Sequence, residues 1–228
     1  MIKRKHRLLP CLVLLISCAT PIVAHEIYAI KTYASIHKRP ANYSIKINYP
    51  FFKNSLYAKS INRIIHTAVN DKITQIHHWM LAGDPPNTTS EFTSEAKVIS
   101  HQQGRYSIAW FDLNYFAGAA HPEHLIHVLN YDVKTKKRLS LSDMLSTKPA
   151  SLEHISLLSR QSLRHQFHQV HYSPTDTISR KWFEQGTSPT LKNFKNWSFT
   201  PQEIHFYFPE YSIAPYVYGA FKVTIPRK

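Results

Sequence analysis

From Ile61 to Met80, apolar residues return every three or four positions: Ile61, Ile64, Ile65, Ala68, Val69, Ile73, Ile76, then Trp79 or Met80. That spacing lines them along one face of an α-helix of about seven turns. A stripe so long has to be buried against a broad apolar surface. The preceding segment begins to supply one. Tyr43, Ile45, Ile47 and Tyr49 alternate with Ser44, Lys46 and Asn48, the period of a strand with one buried face. Pro50 is expected to close this strand, Asn54 or Ser55 to cap the helix, and Gly83-Asp84-Pro85-Pro86 to stop it.

Strand and helix patterns alternate along the rest of the chain. Phe92–Ser100 and Tyr106–Phe116 read as paired strands joined through Gln102-Gln103-Gly104, and Leu125–Val133 follows as a third after the turn Gly118–Pro122. Lys134–Arg138 is a basic turn and Leu141–Leu145 a short helical one. Leu152–Val170 is a second amphipathic helix, with Ile155, Leu158, Leu163, Phe167 and Val170 on its apolar side. Trp182, Phe183, Phe194, Trp197 and Phe199 fall in an irregular aromatic stretch. Strands at Glu203–Phe208 and Ala220–Ile225, joined through the Pro209-Glu210-Tyr211 turn, complete the order. The expected fold is α+β, a mostly antiparallel sheet packed against two long amphipathic helices. An N-terminal strand-helix-strand part is expected over residues 25–100 and a C-terminal domain over 101–228.

The first two dozen residues have the three parts of a bacterial secretion signal. Lys3, Arg4, Lys5 and Arg7 form a positive n-region, Leu8–Ile16 is an apolar run, and small or turn-forming residues follow. The apolar run is much shorter than the roughly 20 residues that span a bilayer. Cleavage is expected after Ile22-Val23-Ala24, giving a signal peptide over residues 1–24. The alternative is a lipobox at Leu15-Ile16-Ser17-Cys18, with the signal ending at Ser17 and a lipid carried on Cys18. Both cysteines, Cys11 and Cys18, lie in or beside this leader. The exported part therefore offers no disulfide, no thiolate metal site and no cysteine nucleophile. Its formal charge, about +10 once the leader's four basic residues are set aside, favours anionic partners such as wall polymers or lipid head groups. The exported compartment argues against nucleic acid.

Motifs for catalysis are missing. There is no Gly-x-Ser-x-Gly elbow, no Walker loop and no His-Glu-x-x-His. Histidines cluster at His121, His124 and His127, at His165, His168 and His171, and at His77 and His78. Neither larger cluster has metal-ligand spacing, and at i, i+3, i+6 the third imidazole drifts off the first one's helical face. No metal and no cofactor is expected. Glu123, Asp132, Asp143, Glu203 and Glu210 could supply a carboxylate pair for glycoside chemistry, with Asp143 read first as a helix cap and Glu210 as a solvated turn residue. Trp110 and Phe206 are read as core. Tyr211, Tyr216 and Tyr218 crowd a proline-containing loop, the kind of place where tyrosines serve polar recognition.

Two segments carry a family resemblance. Tyr115-Phe116-Ala117-Gly118-Ala119-Ala120-His121-Pro122, followed by the run Asn130–Leu145, resembles a Gly-Gly-Ala-His turn and an "NYDxxTGKxLxLxDLF" stretch. Phe206–Gly219 resembles an "FxFxxYEIAPYAxG" segment. Both belong to the extracytoplasmic domain shared by the anti-sigma factor RsiV and the peptidoglycan deacetylase PdaC. The Tyr49-Pro50 strand end and the Ile61-Asn62 helix resemble the domain that commonly precedes it. Ala117 and Lys137 depart from the pattern, each standing where a Gly is usual. No anti-sigma segment and no deacetylase domain is recognised, so neither activity carries over.

The resemblance implies an exported, periplasmic or extracellular binding module that recognises a wall glycan, an anionic envelope component or a lysozyme-like protein. A chain this basic would repel a basic lysozyme, which favours the anionic partners. His121, Glu123, Tyr211, Tyr216 and Tyr218 are the expected binding residues, and membrane contact is expected only through a lipid on Cys18. The alternative is a cell-wall glycan hydrolase using carboxylates near His121 and the Tyr211 loop.

Overall fold

In the computed structural model the apolar stripe lies on a helix, α1 (Ala58–Trp79), which buries Ile61, Ile65, Val69 and Ile76. The structure describes residues 27–38, 41–82, 88–146 and 151–227. The expected leader, with Cys11 and Cys18, and the expected stop at Gly83–Pro86 lie outside these residues. The helix begins later than the expected caps: its N-cap is Tyr57, which makes no side-chain cap bond. Ser55 still shapes the entry, its Oγ accepting the Tyr57 N–H at 3.1 Å.

The surface under α1 is a six-stranded sheet of β1 (Ile27–His37), β2 (Tyr43–Lys53), β3 (Ser90–Gln102), β4 (Arg105–Tyr115), β5 (Glu123–Asp132) and β6 (Lys137–Arg138), in that spatial order. Only β2 and β3 run parallel, because α1 crosses over between them. Every other pair is antiparallel. β1 forms the outer edge. β2 runs on past Pro50 to Lys53. β3 parts from β2 after Asn48, so Pro50 has a strand on one side only, where a missing N–H is tolerated. Asn62 of α1 fastens helix to sheet, its amide accepting from the Phe52 N–H and donating to the Phe52 C=O, both at 2.9 Å.

A second, three-stranded antiparallel sheet follows: β7 (Trp197–Phe199), β8 (Glu203–Phe208) and β9 (Phe221–Pro226). With α2 (Leu141–Ser146), α3 (Leu152–Gln169) and α4 (Thr177–Gly186) it encloses a separate aromatic core that includes Phe167, Phe183, Phe194, Phe206 and Phe208. The two long amphipathic helices of the expected α+β fold are α1 and α3. The irregular aromatic stretch is more ordered than its sequence suggests. Asp176 caps α4, accepting from the N–H groups of Ile178 and Ser179 at 2.9 Å each, and Trp197–Phe199 form β7.

The expected divide between residues 100 and 101 falls inside β3, whose hairpin with β4 carries the sheet across it. The cores part instead after Val133, at β6. The two sheets are joined by buried polar side chains. Ser107 donates to Asn130 Oδ1 at 2.7 Å and accepts from the Phe199 N–H at 3.1 Å. Asn130 donates to the Trp197 carbonyl at 2.7 Å. Pairing the outer edge of β7 through side chains fixes the second sheet against β4 and β5, and so sets where the loop after β8 lands.

Candidate functional site

That loop lands beside the first residues of β5. After Phe208 the chain turns through Pro209 to Gly219, closing with a 3-10 turn at Tyr216–Tyr218. On the facing side, β4 ends at Tyr115 and a turn through Gly118, with φ +86°, delivers His121 and Glu123 to the start of β5. A positive φ costs glycine nothing, so Gly118 can make the sharp bend the sequence suggested.

Between the two loops lies a cavity of about 270 Å³. His121 stacks on Tyr216 with ring centroids 3.9 Å apart, and its Nε2 lies 3.1 Å from the Tyr211 hydroxyl. Tyr211 and Tyr216 rings are 5.7 Å apart. Behind Tyr211, the Trp182 indole lies nearly parallel, 9° off at 6.3 Å, and donates its N–H to the Tyr211 carbonyl at 2.7 Å. Tyr211 has φ +62°, a conformation a bulky side chain rarely adopts. Trp182 and His121 hold it there, and strain of this kind gathers at functional sites.

Four of the five expected binding residues, His121, Glu123, Tyr211 and Tyr216, meet at this cavity. Tyr218 does not. Its ring packs on Tyr172, 4.3 Å away, against the second core. Glu210, expected to be a solvated turn residue, has a side chain only 10% exposed and is paired with His124, whose Nδ1 lies 2.9 Å from Oε1. Desolvation, then the charges of Glu210 and Tyr211, raise the Tyr216 pKa, so its hydroxyl keeps its proton and can donate. Asp143 lies in the first turn of α2, accepting from the N–H and hydroxyl of Ser140 and donating its own N–H to Ser140 Oγ, a reciprocal capping box.

Asn114, at the end of β4, also lines the cavity and was missed from sequence. It is 1% exposed, and neither its amide oxygen nor its nitrogen has a hydrogen-bond partner among the described residues. Buried amides are almost always hydrogen-bonded, which makes this one a candidate contact for whatever fills the cavity. A signal existed. On β4 the phase set by Tyr106, Ile108 and Trp110 continues through Asp112 and Asn114, putting polar residues where the core pattern calls for apolar ones.

The polar phase has a second use. Asp112 is buried and accepts from Lys72 of α1, from Ser94 Oγ at 2.5 Å, and lies 3.0 Å from His127 Nε2. Desolvation would raise its pKa, but the bonds from His127, Lys72 and Ser94 outweigh it and the net shift is downward. Among the described residues no three His, Cys, Asp or Glu side chains are placed to hold a metal ion. No described helix is long and apolar enough to cross a membrane.

A larger cavity of about 510 Å³ shares Leu125, Pro209, Glu210 and Tyr211 with this one and is lined also by Lys192, Lys195 and Tyr207. Aromatic rings and carboxylates at one end, and lysines at the other, describe a cleft with a polarity. The stretch that builds its outer wall is one that other proteins share.

Residues 142–228 match the DUF3298 family, described as a protein of unknown function. The DUF3298 segment includes Tyr211 and Tyr216 but stops short of His121 and Glu123, which face it across the cavity. Two solved structures of DUF3298 family proteins share the fold over most of their length. One, from Pseudomonas aeruginosa, is 21% identical with a TM-score of 0.61, covering 88% of this chain and 91% of its own. The other, from Bacteroides fragilis, is 14% identical with a TM-score of 0.54, covering 89% and 90%. No curated protein matches the chain in sequence.

Proposed function

We propose that this is an exported cell-envelope binding module whose ligand is a wall glycan, held in the cavity between the β4–β5 turn and the loop after β8. The observation that carries this is Asn114, a buried amide with neither polar atom bonded to a described residue, beside the stacked rings of His121 and Tyr216. Sugars present apolar C–H faces that lie on aromatic rings and paired hydroxyls that an amide or carboxylate can meet, so one wall of each kind suits them. The lysines of the adjoining cavity suit a polymer that is acidic along its length. The leader pattern supports export, and the motif resemblance to RsiV and PdaC agrees with a role at the envelope.

A hydrolase is the second reading, favoured by one observation: Glu123 and Glu210 line the same cavity. Paired carboxylates across a sugar are the usual machinery of glycoside cleavage.

Retention of the leaderless protein on insoluble peptidoglycan, at low and at physiological salt, tests the proposal. Binding that survives the higher salt and falls on Tyr216→Ala supports it. Retention lost with salt on every polymer tried would leave only surface charge and end the glycan reading. Soluble sugar released during the incubation, and abolished by Glu210→Gln, would select the hydrolase. Whether Cys18 carries a lipid is read from a Cys18→Ser variant, which should leave the membrane fraction if it does.

A further inference from the structure

β5 meets β6 only at its far end, through Tyr131 and Asp132. Asn130 still turns its carbonyl outward, to the Leu139 N–H at 2.9 Å. In an antiparallel strand alternate residues point their backbone groups the same way, so His124, Ile126 and Val128 present theirs on that same outer side. Among the described residues none pairs with them. An open edge of about five residues, some 16 Å, results. It is bounded by β6 at one end and the Tyr211 loop at the other.

Cavities flank this edge on both faces. Ile126, Lys192 and Lys195 line the one of about 510 Å³, and Lys72, Trp110 and Arg138 line another of about 210 Å³. His127 lines both. An added strand would send alternate side chains to opposite faces, into one cavity and then the other. Edges this open are usually blunted by lysine or proline, and Glu123–Leu129 contains neither.

We infer that the β5 edge binds an extended, acidic peptide segment of a partner protein by strand addition. The inference shares Lys192 and Lys195 with the glycan reading but does not rest on the aromatic cavity. Acidity follows from the charges. Lys72 is committed to Asp112, whereas Arg138, Lys192 and Lys195 form no ion pair with a described residue. A second copy of this basic chain would bring like charges together on the same edge.

The test uses the exported protein at physiological salt and fluorescent hexapeptides, blocked at both ends, that alternate valine with glutamate or valine with lysine. The acidic peptide is expected to bind about tenfold or more tightly than the basic one. N-methylation of alternate backbone amides should abolish binding in one register and spare it in the other, and the bound peptide should slow amide exchange at His124, Ile126 and Val128. The double variant Lys192→Glu, Lys195→Glu should reverse the charge preference. Equal binding of both peptides, indifference to N-methylation in both registers, or self-association through this edge that the acidic peptide does not compete away would each overturn the inference.

Discussion

The imidazole of His121 and the ring of Tyr216 lie nearly flat on one another, 24° from parallel, although one closes the β4–β5 turn and the other sits in the loop after β8. The stack joins the two walls of the cavity. It also lies outside both hydrophobic cores. Removing it should therefore cost binding more than folding. Tyr216→Ala is expected to weaken peptidoglycan retention about tenfold, with the thermal midpoint little changed. His121→Phe keeps a ring there but loses the bond to the Tyr211 hydroxyl, and should fall between the two. Parallel retention and melting curves check this; equal losses in both would make the pair structural.

The backbone of the Tyr211 loop depends on a residue in another element. A Cβ on Gly186, at the end of α4, would collide with the Ser212 carbonyl oxygen and lie 2.8 Å from Ile213 Cγ2. Backbone cannot yield as a side-chain tip does, so Gly186→Ala must push the loop away. A cost of about 1–3 kcal/mol is expected, together with loss of retention and a shift in Trp182 emission, since that indole hydrogen-bonds the moving Tyr211 carbonyl. A variant with unchanged emission and full retention would show that the loop is not held this way.

Much of this was legible in the sequence because it is periodic. The α1 stripe and the alternation of β2 are local patterns with one physical reading each, and the motif segments put His121, Glu123, Tyr211 and Tyr216 in turns that the fold brings to one cavity. What was not legible depends on neighbours distant in the chain. The Glu210 carboxylate is solvated in a free turn and shielded only because His124 meets it. Tyr218 sits one residue beyond an exposed Val217 and turns to Tyr172 instead of the cavity. α4 is short and buries one side chain, Phe183, so its stripe is too narrow to read, and only the Asp176 cap announces it. β7 has three residues and owes its place to Ser107 and Asn130.

The buried charge cluster under α1 gives the fold an acid limit. Asp112 has a folded-state pKa below its ordinary value of 3.8. A depressed carboxylate pKa means that the unfolded chain binds the proton more tightly. Its contribution is therefore fully present above the unfolded value and drains away as pH falls through the folded one. Asp112→Asn leaves Lys72 without its counter-charge, and breaking such a pair costs about 3–5 kcal/mol. The variant should melt lower at neutral pH, and its deficit should narrow on acidification below about pH 4. Denaturation curves from pH 7 to pH 2 check it; a deficit constant across that range would mean that the aspartate charge is not what stabilises the cluster.

Asn114 separates binding from stability in one substitution. Its amide is buried with neither polar atom bonded to a described residue, and an unmet buried polar group costs about 1–3 kcal/mol. Leucine has nearly the same shape and no such debt. Asn114→Leu should therefore raise the melting temperature while weakening glycan retention. Most core substitutions move both downward, so the opposed signs are the informative result. Asn114→Asp serves as the control: it retains acceptors at the cavity wall but buries a charge beside the Glu123 and Glu210 side, and should lose stability. If Asn114→Leu melts higher and binds as before, the open amide faces the cavity without meeting the ligand there. If it melts lower, the amide is satisfied in solution, and the cavity holds ordered water where a sugar hydroxyl is proposed.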